Sequence, residues 1–220
     1  MRQIENQKEL EHIWNTWSLQ EYFSFSIRPY TQVVEFESEE VLLHKDEKPE
    51  SLYFLFEGRA KVCLADDEGR ISLISFTKGP CFLGEMEMIG AQERAQSVQA
   101  VTRCRCYAID LEKCRDKVLN DAKFLRNLCL FLGQRFRRNT ENYVHNQAYP
   151  LENRLATFIL LTMHHGMYTE KHTEVAEYLG VTYRHLLYVL ADFRHKNILE
   201  KTPQGYKILD LAALQALEIH

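Results

Sequence analysis

"KHTEVAEYLGVTYRHLLYVLADF", Lys171–Phe193, is two short amphipathic segments hinged on one glycine. Thr173 is placed to cap the first segment, which turns Val175, Ala176 and Leu179 inward. Gly180 supplies the left-handed residue that ends it. Thr182 then caps a second segment, in which Leu186, Val189, Leu190 and Phe193 recur at three- and four-residue spacing. A small side chain at Ala176 lets the two helices cross closely. A small residue, a turn glycine and apolar positions at these offsets make a helix-turn-helix.

The chain beyond it fits. "ILEKTPQGYKIL" (198–209) reads as a β-hairpin wing with its turn at Thr202–Gly205. A helix-turn-helix with a wing is a DNA-binding architecture; the competing reading is a three-helix bundle with no DNA role. The outward residues at the start of the second helix are Tyr183, Arg184 and Tyr188, which would enter the major groove. Arg184 can donate a bidentate pair to a guanine edge, and the tyrosines can meet thymine methyls or phosphates. Lys171, His172, Thr182 and His185, with Thr173 beside them, sit where phosphate contacts are made. Arg194, His195 and Lys196 make the end of that helix locally basic.

Upstream, from Pro29 to about Asp110, the texture is β. "QVVEFE" (32–37), "SLYFLFEGRAKVCLA" (51–65), "ISLISF" (71–76) and "SVQAVTRCRCYAID" (97–110) are short β-branched and aromatic runs. Turn chemistry separates them at Asp46–Pro49, Asp66–Gly69 and Thr77–Pro80. "DDEG" (66–69) predicts a hairpin with Gly69 left-handed. Many short strands with even punctuation suggest a sandwich, barrel or roll. From Asp121, a plausible N-cap, the pattern becomes helical, with Leu125, Leu128, Leu132 and Phe136 at three- and four-residue spacing. Such a helix can run some 25 residues, about 37 Å, before Pro150. It would either pair with its copy in a dimer or lie across the β domain. "LENRLATFILLTMHH" (151–165) is a further amphipathic helix, with His164 and His165 at its solvated end. The expected organisation is α+β: a β domain over 1–120, a dimerisation helix over 121–148, and a winged helix-turn-helix over 149–220.

Composition is that of an ordinary globular protein. The 220 residues are 45% hydrophobic with net charge −4. Residues 151–220 carry seven Lys and Arg against eight Asp and Glu, so any basic surface is local. No apolar run approaches the roughly 18 residues that span a bilayer, and no leader-like apolar segment opens the chain. A cytoplasmic protein without membrane contact is expected. All six cysteines fall between Cys63 and Cys129.

A β-roll, a long helix and a winged helix-turn-helix, in that order over the whole chain, resemble the CRP/FNR family of bacterial transcription regulators. "YFLFEGRAKV" (53–62), "DDEGRISLI" (66–74), "GPCFLGEMEMI" (79–89), the long helix and the helix-turn-helix carry the resemblance. "AEYLGVTYRHLLYVLADF" (176–193) and the cysteine placement look most like the YeiL-type branch. The resemblance implies a double-stranded, cyclic-nucleotide-binding-like β-roll. It also implies a homodimer on a two-fold symmetric double-stranded DNA operator, with RNA polymerase as a further partner.

In cAMP-binding members a Gly-Glu turn places a glutamate on the ribose, and an Arg-Ser pair holds the cyclic phosphate. Here Glu85 and Arg94 match, and Ala95 stands at the serine position. A Thr-Ser pair near the adenine becomes Thr140-Glu141. Two departures among so few positions argue against high-affinity cAMP binding. The recognition set also departs: where the cAMP receptor protein has Arg-Glu-Arg, this chain has Tyr183, Arg184 and Tyr188, so its operator should differ.

FNR-type members hold an iron–sulfur cluster on N-terminal cysteines, which are absent before Cys63. In the YeiL-type branch, cysteines like Cys81, Cys104, Cys106 and Cys129 have been linked to an iron–sulfur or disulfide role, and thiolates suit iron–sulfur or zinc. The plainer reading makes Cys104 and Cys106 small core hydrophobes sharing a face with Val98 and Ala100. No cofactor follows with certainty. A cyclic-nucleotide-binding-like regulatory subunit that docks protein is the alternative function, and a thiol or iron–sulfur redox-sensing regulator a further one. No nucleophile–base set of an enzyme is visible.

Overall fold

The computed structural model describes residues 1–65 and 71–219; the side chains of 65, 71, 72 and 142–147 also lie outside the description. The chain divides into two compact units, residues 1–134 and 135–220.

The first unit holds β1 (Arg2–Gln3), α1 (Gln7–Thr16), β2 (Thr31–Phe36), β3 (Val41–Leu43), β4 (Ser51–Glu57), β5 (Arg59–Ala65), β6 (Ile71–Lys78), β7 (Cys81–Leu83), α2 (Glu85–Met88), β8 (Ser97–Ala100), β9 (Cys104–Asp110) and α3 (Leu111–Leu119). The start of α4 (Ala122–Ala148) completes it. Its strands form two antiparallel sheets, ordered β1-β2-β9-β4-β7 and β3-β8-β5-β6. Two runs that read as continuous strands are each divided between the sheets. The first breaks at Gly58, whose φ is +101° and whose added Cβ would lie 2.4 Å from the Arg103 carbonyl oxygen. Only glycine turns that corner without displacing backbone. The second breaks at residues 101–103, so Val98 and Ala100 share a core with Cys104 and Cys106 but not a strand. The proposed "DDEG" turn with Gly69 lies outside the described residues; the hairpin pairs up to Ala65 and Ile71.

The larger sheet is buried on both faces. Leu52, Phe54 and Phe56 of β4, with Tyr107 and Ile109 of β9, join α1, α3 and α4 in one apolar cluster. The alternate residues Leu55, Cys104 and Cys106 join Val98, Ala100 and Leu83 in a second, between the sheets. Period-two alternation is thus present but divides two apolar sets, which is why polarity along these strands alternates only partly.

A buried carboxylate ties the N-terminal strand down. Glu35 on β2 accepts from Arg2 at 2.8 Å, from Arg105 at 3.0 Å and from Arg103. Burial pushes its carboxyl up, but the bonds from Arg103, Arg105 and Arg2 outweigh that and hold it below the usual range.

Asp121 is the expected cap of α4. Its Oδ1 accepts from the backbone N–H of Lys123 at 3.0 Å, and its Oδ2 from that of Ser24 at 2.7 Å. Phe124 and Leu128 are buried, with Leu125 and Leu132 packed against the same cluster. Phe136, the next residue of the series, is 74% exposed.

The second unit holds α5 (Leu151–Thr162), β10 (Met167–Tyr168), α6 (His172–Tyr178), α7 (Tyr183–His195), β11 (Leu199–Thr202), β12 (Gly205–Ile208) and α8 (Leu211–Ala216). The anticipated hairpin is β11–β12, and the unanticipated β10 adds a third strand in the order β10-β12-β11. His164 and His165 are not helical. α5 ends at Thr162, and His165 (φ +50°) and Gly166 (φ +73°) make a left-handed turn into β10. The helices α1, α3 and α8 are also additions to the sequence reading; α8, at six residues, is under two turns and too short to show a period.

Candidate nucleic-acid interface and effector cassette

The helix-turn-helix is built from α6 and α7. Gly180 has φ +63°. The N–H of Val181 donates to the Ala176 carbonyl at 2.9 Å, and that of Gly180 to the Glu177 carbonyl at 3.0 Å. This pair of bonds is a Schellman closure, and it satisfies carbonyls that the end of α6 would otherwise leave open. Thr182 caps α7 as expected, its Oγ1 accepting from His185 N–H at 3.2 Å. Thr173 does not cap α6. The cap position is Lys171, with no side-chain bond, so Thr173 is the second helical residue. β10 ends at Tyr168, three residues before this cap position.

α7 has two distinct sides. Leu186, Val189, Leu190 and Phe193 are buried, while Tyr183, Arg184, His185 and Tyr188 are exposed, Tyr188 at 73%. Lys171, Thr173 and Thr182 are exposed as well. His172 differs from the other residues nominated for DNA contact. It is half-buried, its ring lying at 17° to the Tyr168 ring with centroids 6.1 Å apart and 5.6 Å from the Tyr206 ring. Burial, and then Lys201, pulls its pKa below the ordinary value. Arg154 was not nominated from sequence. It reaches from α5 to the end of α6, donating to the Leu179 carbonyl at 2.6 Å. An arginine on an amphipathic helix gives no signal of this in sequence.

The cassette residues lie in the first unit. Gly84, at φ +86°, opens the one-turn helix α2, and Glu85 is its first residue, buried. Arg94 is exposed, and its guanidinium donates to the Asp46 carbonyl at 3.1 Å. Ala95 is buried and exchanges backbone bonds with the same loop, its N–H to Glu47 O at 2.9 Å and its carbonyl from Asp46 N at 3.0 Å. In the second unit, Thr140 bonds the Phe136 carbonyl at 3.0 Å and Glu141 faces Arg137 at 3.6 Å.

Cys81 begins strand β7, directly after the expected Thr77–Pro80 turn. Cys81, Cys104 and Cys106 are buried in the cluster between the sheets, and Cys129 is exposed on α4. Burial pushes the Cys104 thiol up to about 12 and the Cys106 thiol well above its ordinary value. Cys104 donates to the Arg59 carbonyl at 3.1 Å. Among the described residues no three His, Cys, Asp or Glu side chains are grouped so as to hold a metal ion.

Two family models match this arrangement: a cyclic nucleotide-binding domain over residues 33–121 and a Crp-like helix-turn-helix domain over 153–217. Regulatory protein YeiL of Escherichia coli is 42% identical over 189 residues, 86% of each chain. The chain belongs to the CRP/FNR family of transcription regulators. The cAMP-activated global transcriptional regulator CRP of Escherichia coli is a more distant CRP/FNR relative, 26% identical over 132 residues, 60% of this chain and 63% of that one. A CRP-family regulator of Thermus thermophilus has the same fold, with TM-score 0.67 at 22% identity, over 84% of this chain and 95% of that one. The chain is therefore a CRP/FNR-type transcription regulator with a helix-turn-helix DNA-binding domain.

Proposed function

We propose that this regulator acts as a homodimer, reads a specific DNA sequence through α7, works without cAMP and catalyses no reaction. The observation that carries the reading is the two-sidedness of α7. Its apolar side is fully buried, while Tyr183, Arg184, His185 and Tyr188 form an exposed rim at its N-terminal end. That is the part of a recognition helix that meets base edges. Lys171, Thr173 and Thr182 supply phosphate contacts, and His172 holds the base of the motif instead of reaching outward. Phe136 on α4 is an apolar group that a second copy would cover.

Independence from cAMP is supported by the cassette. Ala95 has no hydroxyl for a phosphate, Arg94 is engaged with the Asp46 carbonyl, and Glu141 stands where a small hydroxyl is needed beside Thr140. Glu85 and Arg94 then serve the roll itself. The thiols serve it too. An iron–sulfur cluster needs converging thiolates, whereas Cys81, Cys104 and Cys106 are buried between the sheets and Cys129 is exposed on α4. The set does not fit a four-thiolate cage. Buried reduced thiols suit the cytoplasm, where the DNA-bound dimer would meet RNA polymerase.

The test is selection of duplexes from a randomised pool by the purified full-length chain. A two-fold symmetric site with half-sites about 34 Å apart is expected. Arg184→Ala should weaken binding to the selected duplex by about 10–100-fold, the loss of one bidentate base contact. Adding cAMP should leave affinity unchanged. Failure to enrich any duplex would overturn the DNA reading, and an affinity that rises with cAMP would overturn the independence.

A further inference from the structure

The turn of the helix-turn-helix is anchored from below by a side chain that the motif does not require. Three carbonyls at the end of α6 are taken by the backbone itself: Ala176 by Val181, Glu177 by Gly180, and Val175 by Leu179. The Leu179 carbonyl is taken by Arg154 of α5, at 2.6 Å. Arg154 is held in turn by its own helix, where Leu151, Leu155 and Ala156 are buried beside it. From Leu179 only Gly180 and Val181 separate this anchor from Thr182, the cap of α7. Three residues closed by Schellman bonds leave little slack, so a shift of the Leu179 carbonyl passes to the first turn of α7. That turn carries Tyr183, Arg184 and His185.

The energetics point away from a purely stabilising role. The Nε of Arg154 is buried and has no hydrogen-bond partner among the described residues. A buried donor left unmade is destabilising, which offsets part of what the bond to the Leu179 carbonyl contributes to folding. What the guanidinium supplies instead is a fixed direction, since its planar donors bind a carbonyl at one angle and reach.

We propose that Arg154 is a positioning residue for DNA recognition: by pinning the Leu179 carbonyl to α5 it sets the placement of the N-terminal turn of α7, and so sequence discrimination. This rests on the reading of α7 as the DNA-contacting helix.

The test compares full-length Arg154→Met and Arg154→Lys with the unsubstituted protein and with Arg184→Ala. Each is measured on the duplex enriched by the unsubstituted protein and on a scrambled duplex, with thermal melting alongside. Arg154→Met should lower affinity for the selected duplex about tenfold, the scale of one misplaced base contact, while binding to the scrambled duplex stays within about twofold. Its melting temperature should change by less than about 5 °C, since the lost carbonyl bond and the removed unmade donor oppose one another. Arg154→Lys, which keeps a charged donor on a stem of similar reach, should regain part of the lost discrimination. A ratio between the two duplexes that is unchanged in Arg154→Met, or a loss shared equally by both, overturns the proposal. So does a fall in melting temperature with the ratio intact. If Arg184→Ala collapses the ratio while Arg154→Met does not, only the positioning role fails. If the unsubstituted protein shows no discrimination, the DNA reading fails and the proposal with it.

Discussion

The β-roll and the helix-turn-helix set their family-matched residues in different surroundings. In the roll, Glu85 and Ala95 are buried, and Arg94 bends onto the neighbouring loop. In the helix-turn-helix, Tyr183, Arg184, His185 and Tyr188 project from a helix whose other side is sealed. The same kind of motif match therefore carries different weight in the two places. A reading surface shows itself by what it leaves exposed. In the cassette, by contrast, Arg94 and Ala95 both bond the loop at Asp46 and Glu47.

The contrast breaks most visibly through the thiols. If the roll's interior is closed, Cys129 should react with a maleimide at pH 8 while Cys104 and Cys106 wait for unfolding. A thiol at about 12 carries about a thousandfold less thiolate than one at 9. Mass spectrometry of the labelled sites gives the answer, and fast labelling of Cys104 would mean an open roll. The same groups set a pH window. Their folded pKa values, about 12 for Cys104 and about 11 for Cys114, lie above the unfolded value near 9. Their contribution is complete below about pH 9 and is lost as pH rises through the folded values, because the unfolded chain gives up those protons first. Chemical denaturation at pH 8 and pH 10.5 should show stability falling.

On the other side of the contrast, Gly180→Val should cost about 2 kcal/mol in the second unit, because a β-branched residue resists φ +63°. Beyond the chain neighbours nothing lies within 4 Å of an added Cβ, so at that atom the cost is backbone strain. Urea titration of the full chain, followed by hydrogen exchange in α6 and α7, would locate it; a neutral substitution would mean the turn can close another way. A smaller effect separates two threonines. Thr182→Ala should cost about 1 kcal/mol through the lost cap bond. Thr173→Ala, at a position that caps nothing, should stay within about 0.5 kcal/mol. Equal losses in the two variants would count against the cap assignment.

Much of this was legible because local chemistry decides it. Gly180 and Thr182 act within four residues of themselves, and Asp121 begins α4 by bonding the next turn. The less legible features are those decided across long separations. Gly58 turns a corner because the Arg103 carbonyl passes beneath it, which no local pattern records. Thr173 looks like a cap, but α6 begins one residue before it, with Lys171 at the cap position and no side-chain bond there. His172 reads as a phosphate contact but stacks on Tyr168 and tilts against Tyr206, each brought in by a different strand. Arg154 gains its role from a carbonyl 25 residues away.

The sheet with two apolar faces has one more consequence. In most half-exposed strands a slip by one residue is punished by polarity, since it would drive polar groups inward. Over Leu52–Phe56 of β4 and Cys106–Ile109 of β9 that safeguard is weak, because both sets of alternate side chains enter a core. Bulk must do the discriminating. Phe54, Phe56 and Tyr107 fill the helical side, while Leu55, Cys104 and Cys106 occupy the narrower space beside Ala60 and Ala100. Exchanging the two sets would crowd rings where thiols now fit and leave voids where rings now lie. On that account the cysteines are spacers, and their smallness keeps the strands in step.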